Sequence, residues 1–111
     1  MHMHLKMDYI EFSCGEFAAS KRFFEQAFAW ESEDYGPDYQ ALHQAGIDAG
    51  MARGETLAPL IVLKSDDLEA ALAHIEACGG RISQAIYAFP GGRRFEFTEP
   101  SGIAMAVWSE N

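Results

Sequence analysis

Glu11 is the residue in this chain best placed to do chemistry. It is a carboxylate in the run Tyr9-Ile10-Glu11-Phe12-Ser13-Cys14, among apolar and aromatic neighbours. A carboxylate shielded in this way can serve as a general base, and an ion pair with Arg94 or Lys64 is its structural alternative. The segment Phe89-Pro90-Gly91-Gly92-Arg93-Arg94 offers backbone amides and two guanidinium groups to an anion, although Gly-Gly is first of all a hairpin turn. Of the four histidines, His2 and His4 lie in a terminal tail that could chelate a metal adventitiously. His43 falls in a strand-like run and His74 on a helical one, and both read first as structural or surface residues. No Ser-His-Asp or Cys-His arrangement stands out. Cys14 and Cys78 show no metal-ligand spacing and read as two buried, reduced thiols.

Composition narrows the function classes. Eight basic against seventeen acidic residues give a formal charge of −9 over 111 residues. That balance argues against nucleic acid, whose phosphates need Lys and Arg, and favours cationic over anionic ligands. A hydrophobic content of 49% and a charged content of 23% are those of an ordinary globular domain. No apolar run approaches the roughly 20 residues that a membrane helix needs. The N-terminus carries no apolar signal region, so the expected compartment is the cytoplasm.

The elements that must position these residues repeat. Tyr9 to Phe17 aligns over Leu60 to Leu68 at an offset of 51, with Ala19 over Ala70 and Phe24 over Ile75. In the first half the pattern predicts a strand over 9–14 and a helix over 16–28 with Phe17, Ser20, Phe24 and Phe28 on one face. Strands over 30–35, 39–44 and 47–52 follow. In the second half it predicts a strand over 59–64 and a helix opened by Asp66 with Glu69 three residues later. That helix carries a stripe of Leu68, Ala71, Leu72, Ile75 and Cys78, and Gly79-Gly80 closes it. Strands over 81–87, 93–98 and 103–108 complete the plan. The fold class is therefore α+β, with two βαβββ modules (about 7–53 and 58–109) in a single domain over 1–111. The two sheets are expected to cover each other or to line a cavity with the faces turned away from their helices.

Strand alternation assigns those faces. With Ile10 and Phe12 under the first helix, Tyr9, Glu11 and Ser13 point to the concave side. With Ile61 and Leu63 under the second, Leu60, Val62 and Lys64 do. Packing Phe95, Phe97, Met105 and Val107 inward leaves Arg94, Glu96, Thr98, Ala104, Ala106 and Trp108. The predicted ligand-binding set is thus Tyr9, Glu11, Leu60, Val62, Arg94, Glu96 and Trp108, an apolar and aromatic surface with a few charges, as small-molecule sites have.

Several stretches together resemble the vicinal-oxygen-chelate superfamily, which holds glyoxalases, extradiol dioxygenases and the bleomycin and fosfomycin resistance proteins. They are Tyr9-Ile10-Glu11-Phe12, Ala19-Ser20-Lys21-Arg22-Phe23-Phe24, Phe28-Ala29-Trp30, Tyr35-Gly36-Pro37-Asp38-Tyr39, the helix from Asp66 to Gly80, and Phe97-Thr98-Glu99-Pro100-Ser101-Gly102. The resemblance covers the whole chain. It implies a glyoxalase-like paired-sheet fold and, in metal-using relatives, four ligands at positions that map onto Tyr9, Leu60, Gly50 and Ala106. Three of these carry no donor atom, so no metal and no cofactor is expected. The resemblance then implies a small-molecule-binding protein of the bleomycin-resistance branch, taking a cationic or aromatic ligand and pairing as a homodimer. A glyoxalase-type lyase, isomerase or dioxygenase, with an altered metal site or with Glu11 as acid–base catalyst, is the alternative. A regulatory module whose concave face takes a protein segment is the third.

Overall fold

The computed structural model describes residues 3–55 and 58–111. His2 therefore lies outside the described residues. Eight strands and two helices follow the order β1 (Lys6–Cys14), α1 (Phe17–Phe28), β2 (Glu31–Asp34), β3 (Tyr39–His43), β4 (Ala49–Arg53), β5 (Leu60–Lys64), α2 (Leu68–Ala77), β6 (Arg81–Phe89), β7 (Gly92–Thr98) and β8 (Ala104–Ser109). This is the predicted βαβββ plan, twice. Among the described residues no helix is long and apolar enough to cross a membrane.

The chain divides into two compact units, Asp8–Leu60 and Met1–Met7 with Ile61–Asn111. In the first the strand order is β2-β3-β4-β1, and in the second β6-β7-β8-β5. Each opening strand runs parallel to the last strand of its own unit, Glu11 opposite Gly50 and Val62 opposite Ala106. The remaining pairs are antiparallel hairpins. A parallel pair needs a long crossover connection, and α1 and α2, each following the opening strand, begin it here.

In the first unit the core lies between α1 and one sheet face. Cys14, Phe17, Leu42, Ala49 and Met51 are buried there, with Phe12, Phe24 and Trp30 packed against them. In the second unit Leu68, Ala71, Phe95, Phe97 and Val107 are buried, with Met3, Leu5, Leu63, Ile75 and Met105 against them. Alternation along β7 and β8 places these residues as predicted.

Four expectations are corrected. Phe28 does not join the core face of α1; it is 50% exposed, because it ends the helix and leans on Phe23, Phe24 and Trp30 instead. Asp67, not Asp66, caps α2: its Oδ1 accepts the Ala70 N–H at 3.0 Å, and Ser65 Oγ accepts the Asp67 N–H at 3.1 Å. Cys78 is exposed, because the helix stops at Ala77 and the apolar stripe stops with it; Cys14 is buried as predicted. The opening strand begins at Lys6 rather than Tyr9, and β4 is shifted to end at Arg53.

Candidate functional site

In the first unit the sheet face turned away from α1 is built by alternation. Phe12, Leu42, Ala49 and Met51 face the helix, so Tyr9, Glu11 and Ser13 of β1, Tyr39, Ala41 and His43 of β3, and Gly50 and Ala52 of β4 lie on the other side. Glu31 and Glu33 of β2 join them, since Ser32 turns to α1 and donates to Glu25 Oε2 at 2.6 Å.

At the centre of this face the hydroxyls of Tyr9 and Tyr39 are hydrogen-bonded to each other, and the negative charge of Glu11 acts on Tyr39. Gly50 lies beneath them. A Cβ at that position would overlap both hydroxyl oxygens, so the pair exists only because residue 50 has no side chain. Burial first, then the bond to Tyr9 and the negative charge of Glu11, hold the Tyr39 proton far above the ordinary phenol range. Tyr39 is thus a neutral phenol at any physiological pH. Toward the β2 edge, Glu33 Oε1 lies 2.8 Å from His43 Nε2, and Glu33 Oε2 accepts the Tyr35 hydroxyl at 3.0 Å. The histidine bond, then the tyrosine bond, lower the Glu33 carboxyl below its usual range.

This unit carries ten acidic side chains against three basic ones. None of the three lies on the face described: Lys21 and Arg22 belong to α1, and Arg53 stacks over the Phe17 ring at 5.0 Å on the helix side. The face is therefore a surface of carboxylates and phenols over a floor of Ala41, Gly50 and Ala52.

In the second unit the corresponding face carries Val62 and Lys64 of β5, Arg94 and Glu96 of β7, and Ala106 and Trp108 of β8. Arg94 donates through Nε to the Tyr87 hydroxyl and through Nη2 to Glu96 Oε2 at 3.2 Å, and Tyr87 in turn donates to Glu96 Oε2 at 2.8 Å. Burial, then the Glu96 bond, raise the Tyr87 phenol. Lys64 Nζ donates to Glu110 at 2.8 Å and lies 5.0 Å from the centre of the Trp108 ring. Val62 is buried and Trp108 half-buried.

The structure thus brings Tyr9 onto Tyr39, with Glu11 acting on the pair by its charge, in one unit, and Arg94 and Glu96 together through Tyr87 in the other. Leu60 is half-buried at the start of β5. The second arginine of the glycine loop, Arg93, is taken up by Glu69 and the Asn111 carbonyl. Sequence reasoning missed Tyr39 and Tyr87. Tyr39 carried one usable signal: it opens the hairpin that returns through Gly46 to Gly50.

These residues are a poor match for the family's metal. At the four mapped positions the side chains are a phenol, an isobutyl group, a hydrogen and a methyl group. The space above Gly50, where a ligand side chain would begin, is filled by two neutral hydroxyls. Among the described residues no group of three or more His, Cys, Asp or Glu side chains converges to hold a metal ion. A neutral, hard phenol pair with one carboxylate is a poor transition-metal donor set, and the residues do not fit the group.

The fold defines the class. The profile of the Glyoxalase/Bleomycin resistance protein/Dioxygenase superfamily matches residues 6–107, and the chain belongs to that superfamily. Solved structures agree on the fold. The Mn(II)-bound glyoxalase from Novosphingobium aromaticivorans is 23% identical with a TM-score of 0.74, covering 95% of this chain and 38% of its own. A superfamily member from Vibrio splendidus 12B01 is 16% identical with a TM-score of 0.73, covering 96% of this chain and 99% of its own. The E323L mutant of homoprotocatechuate 2,3-dioxygenase from Brevibacterium fuscum is 16% identical with a TM-score of 0.75, covering 96% of this chain and 33% of its own. This chain therefore spans well under half the length of the glyoxalase and of the dioxygenase. No curated protein matches the sequence.

Proposed function

We propose that this protein binds a small organic ligand without a metal, on the sheet faces turned away from its helices, and that the ligand is cationic or aromatic. The observation that carries the reading is the Tyr9–Tyr39 hydroxyl pair over Gly50. On this reading the pair serves as polar recognition groups at a position that the family resemblance maps onto a ligand side chain of metal-using relatives. The acidic, phenol-rich face of the first unit supports the cationic character, because carboxylates and aromatic rings both attract an ammonium group. On this reading Tyr9, Glu11, Leu60, Val62, Arg94, Glu96 and Trp108 form the binding set, with Tyr39 added. Pairing of two copies belongs to the same reading and is supported by exposed apolar side chains such as Phe23 at 57% and Ile103 at 57%.

One observation favours an enzyme instead: Glu11 lies next to a neutral phenol, a base beside a proton donor. That arrangement suits a lyase or isomerase step on a substrate with an acidic C–H bond, without a metal.

Titration with benzylamine, followed by amide chemical shifts in NMR, tests the binding reading. Shifts are expected to centre on β1, β3 and β4, and Tyr9→Phe is expected to weaken binding several-fold, the worth of one hydrogen bond. Saturable shifts centred on α1 or α2 with β1, β3 and β4 silent would contradict it.

A further inference from the structure

His43 and Glu33 form a second polar group on the face of the first unit, at its β2 edge. Strand register sets the pair. Glu33 stands across from Ala41 and Glu31 across from His43, so the imidazole reaches diagonally to bring Nε2 within 2.8 Å of Glu33 Oε1. The Tyr35 hydroxyl donates to the other carboxylate oxygen at 3.0 Å and keeps the group aimed. Both partners are open to solvent, His43 at 51% and Glu33 at 53%. Among the described residues the charged groups beside His43 are acidic: Glu31 and Glu33 on β2, and Asp48 just before β4. The phenols of Tyr35 and Tyr39 share the face, and α1 packs on the opposite side of the sheet. An imidazole changes charge between about pH 5 and 8. The Glu33 carboxyl, lowered first by its bond to His43 and then by that to Tyr35, stays ionised through this range.

We propose that Glu33 is a seat for the ammonium group of a ligand and that protonated His43 competes for it, so that the face takes up cations at neutral to alkaline pH and releases them on mild acidification. The inference rests on the reading that this face binds a cationic ligand, and it adds the regulation of that binding. While the imidazole is neutral, an ammonium group is the stronger partner for the carboxylate, a charged donor against an uncharged one. Once the imidazole takes its proton, Glu33 already holds a cation, and a second one meets a like charge beside it. The exchange is open because both partners are half exposed, and ion pairs of this kind are weak. By linkage the converse holds: a cation bound on Glu33 drives the proton off His43.

The test measures benzylamine binding by NMR at about pH 8 and about pH 5.5, on either side of an imidazole titration, with benzyl alcohol as the uncharged control. The intact chain is expected to bind benzylamine about fivefold more weakly at the lower pH, the upper range for one exposed ion pair, and benzyl alcohol with no such change. His43→Gln removes the competing cation. It is expected to bind benzylamine at the lower pH about fivefold more tightly than the intact chain does, with the pH dependence gone. Glu33→Gln removes the seat and is expected to weaken binding at the higher pH and to flatten the pH dependence as well. The His43 ring signals supply a readout that a merely structural histidine would not move: saturating benzylamine is expected to shift their titration to lower pH. Benzylamine binding by the intact chain that is the same at both pH values, or a pH dependence that survives in His43→Gln, overturns the proposal and leaves the binding reading standing. If benzylamine binds none of the three proteins at either pH, the binding reading fails and the proposal fails with it.

Discussion

Phe95→Ala is expected to destabilise the protein by about 3–5 kcal/mol, the range for truncating a fully buried phenylalanine. Phe95 is 0% exposed and is the largest of the fully buried side chains. It sits on the helix side of β7, 6.2 Å from the Phe97 ring centre, within the cluster of Leu68, Ala71 and Val107. The buried residues of its cluster are held by β7, β8 and α2, so the cavity has little freedom to close. Folding free energies of small domains amount to about 5–15 kcal/mol, so this single change removes a large part of the total. Urea unfolding measures it. A loss below about 1 kcal/mol would mean that the second unit's core is not organised around this ring.

Gly50→Ala is expected to cost about 1–3 kcal/mol, as overpacking does, and to part the tyrosine hydroxyls. The added methyl group would occupy the place of both oxygens, and aromatic rings on neighbouring strands cannot bend away as a flexible chain end would. The change has a signature beyond stability. The bond to Tyr9 helps hold the Tyr39 proton above the phenol range, second only to burial. Parting the hydroxyls therefore lets Tyr39 ionise at a lower pH than in the intact protein. An ultraviolet titration of phenolate formation checks this; an unchanged curve together with unchanged stability would contradict the close approach at Gly50.

Much of this was legible in the chain. The offset that sets Tyr9 over Leu60 reports two units that repeat one strand order. Alternation placed Phe95, Phe97, Met105 and Val107 toward a helix and Arg94 and Glu96 away from it, because a strand buried on one face has no other register open to it. Local signals failed by one residue where two side chains competed, as at Asp66 and Asp67. Helix ends were over-read at Phe28 and Cys78, since periodicity continues on paper after the sheet beneath has ended. Tyr39 was missed for a different reason. Its meeting with Tyr9 joins residues 30 apart in sequence across three strands, and depends on the β3–β4 register as well as the β1–β4 one. Gly50 read as a missing ligand; that it is also the seat of the hydroxyl pair is a non-local fact.

The proposed metal-free binding rests on the Tyr9 and Tyr39 hydroxyls filling the space above Gly50. Its most direct test is a thermal-shift series with Zn²⁺, Ni²⁺, Mn²⁺ and Fe²⁺, on the intact chain and on the His2→Ala/His4→Ala variant. A metal bound only by the folded state stabilises it by about 2.7 kcal/mol at a hundred times its dissociation constant. No metal is expected to raise the melting temperature of the variant, and any effect on the intact chain is expected to vanish with the tail histidines. A metal that stabilises the variant at low micromolar concentration would contradict the account and turn the Glu11 face into a metal centre.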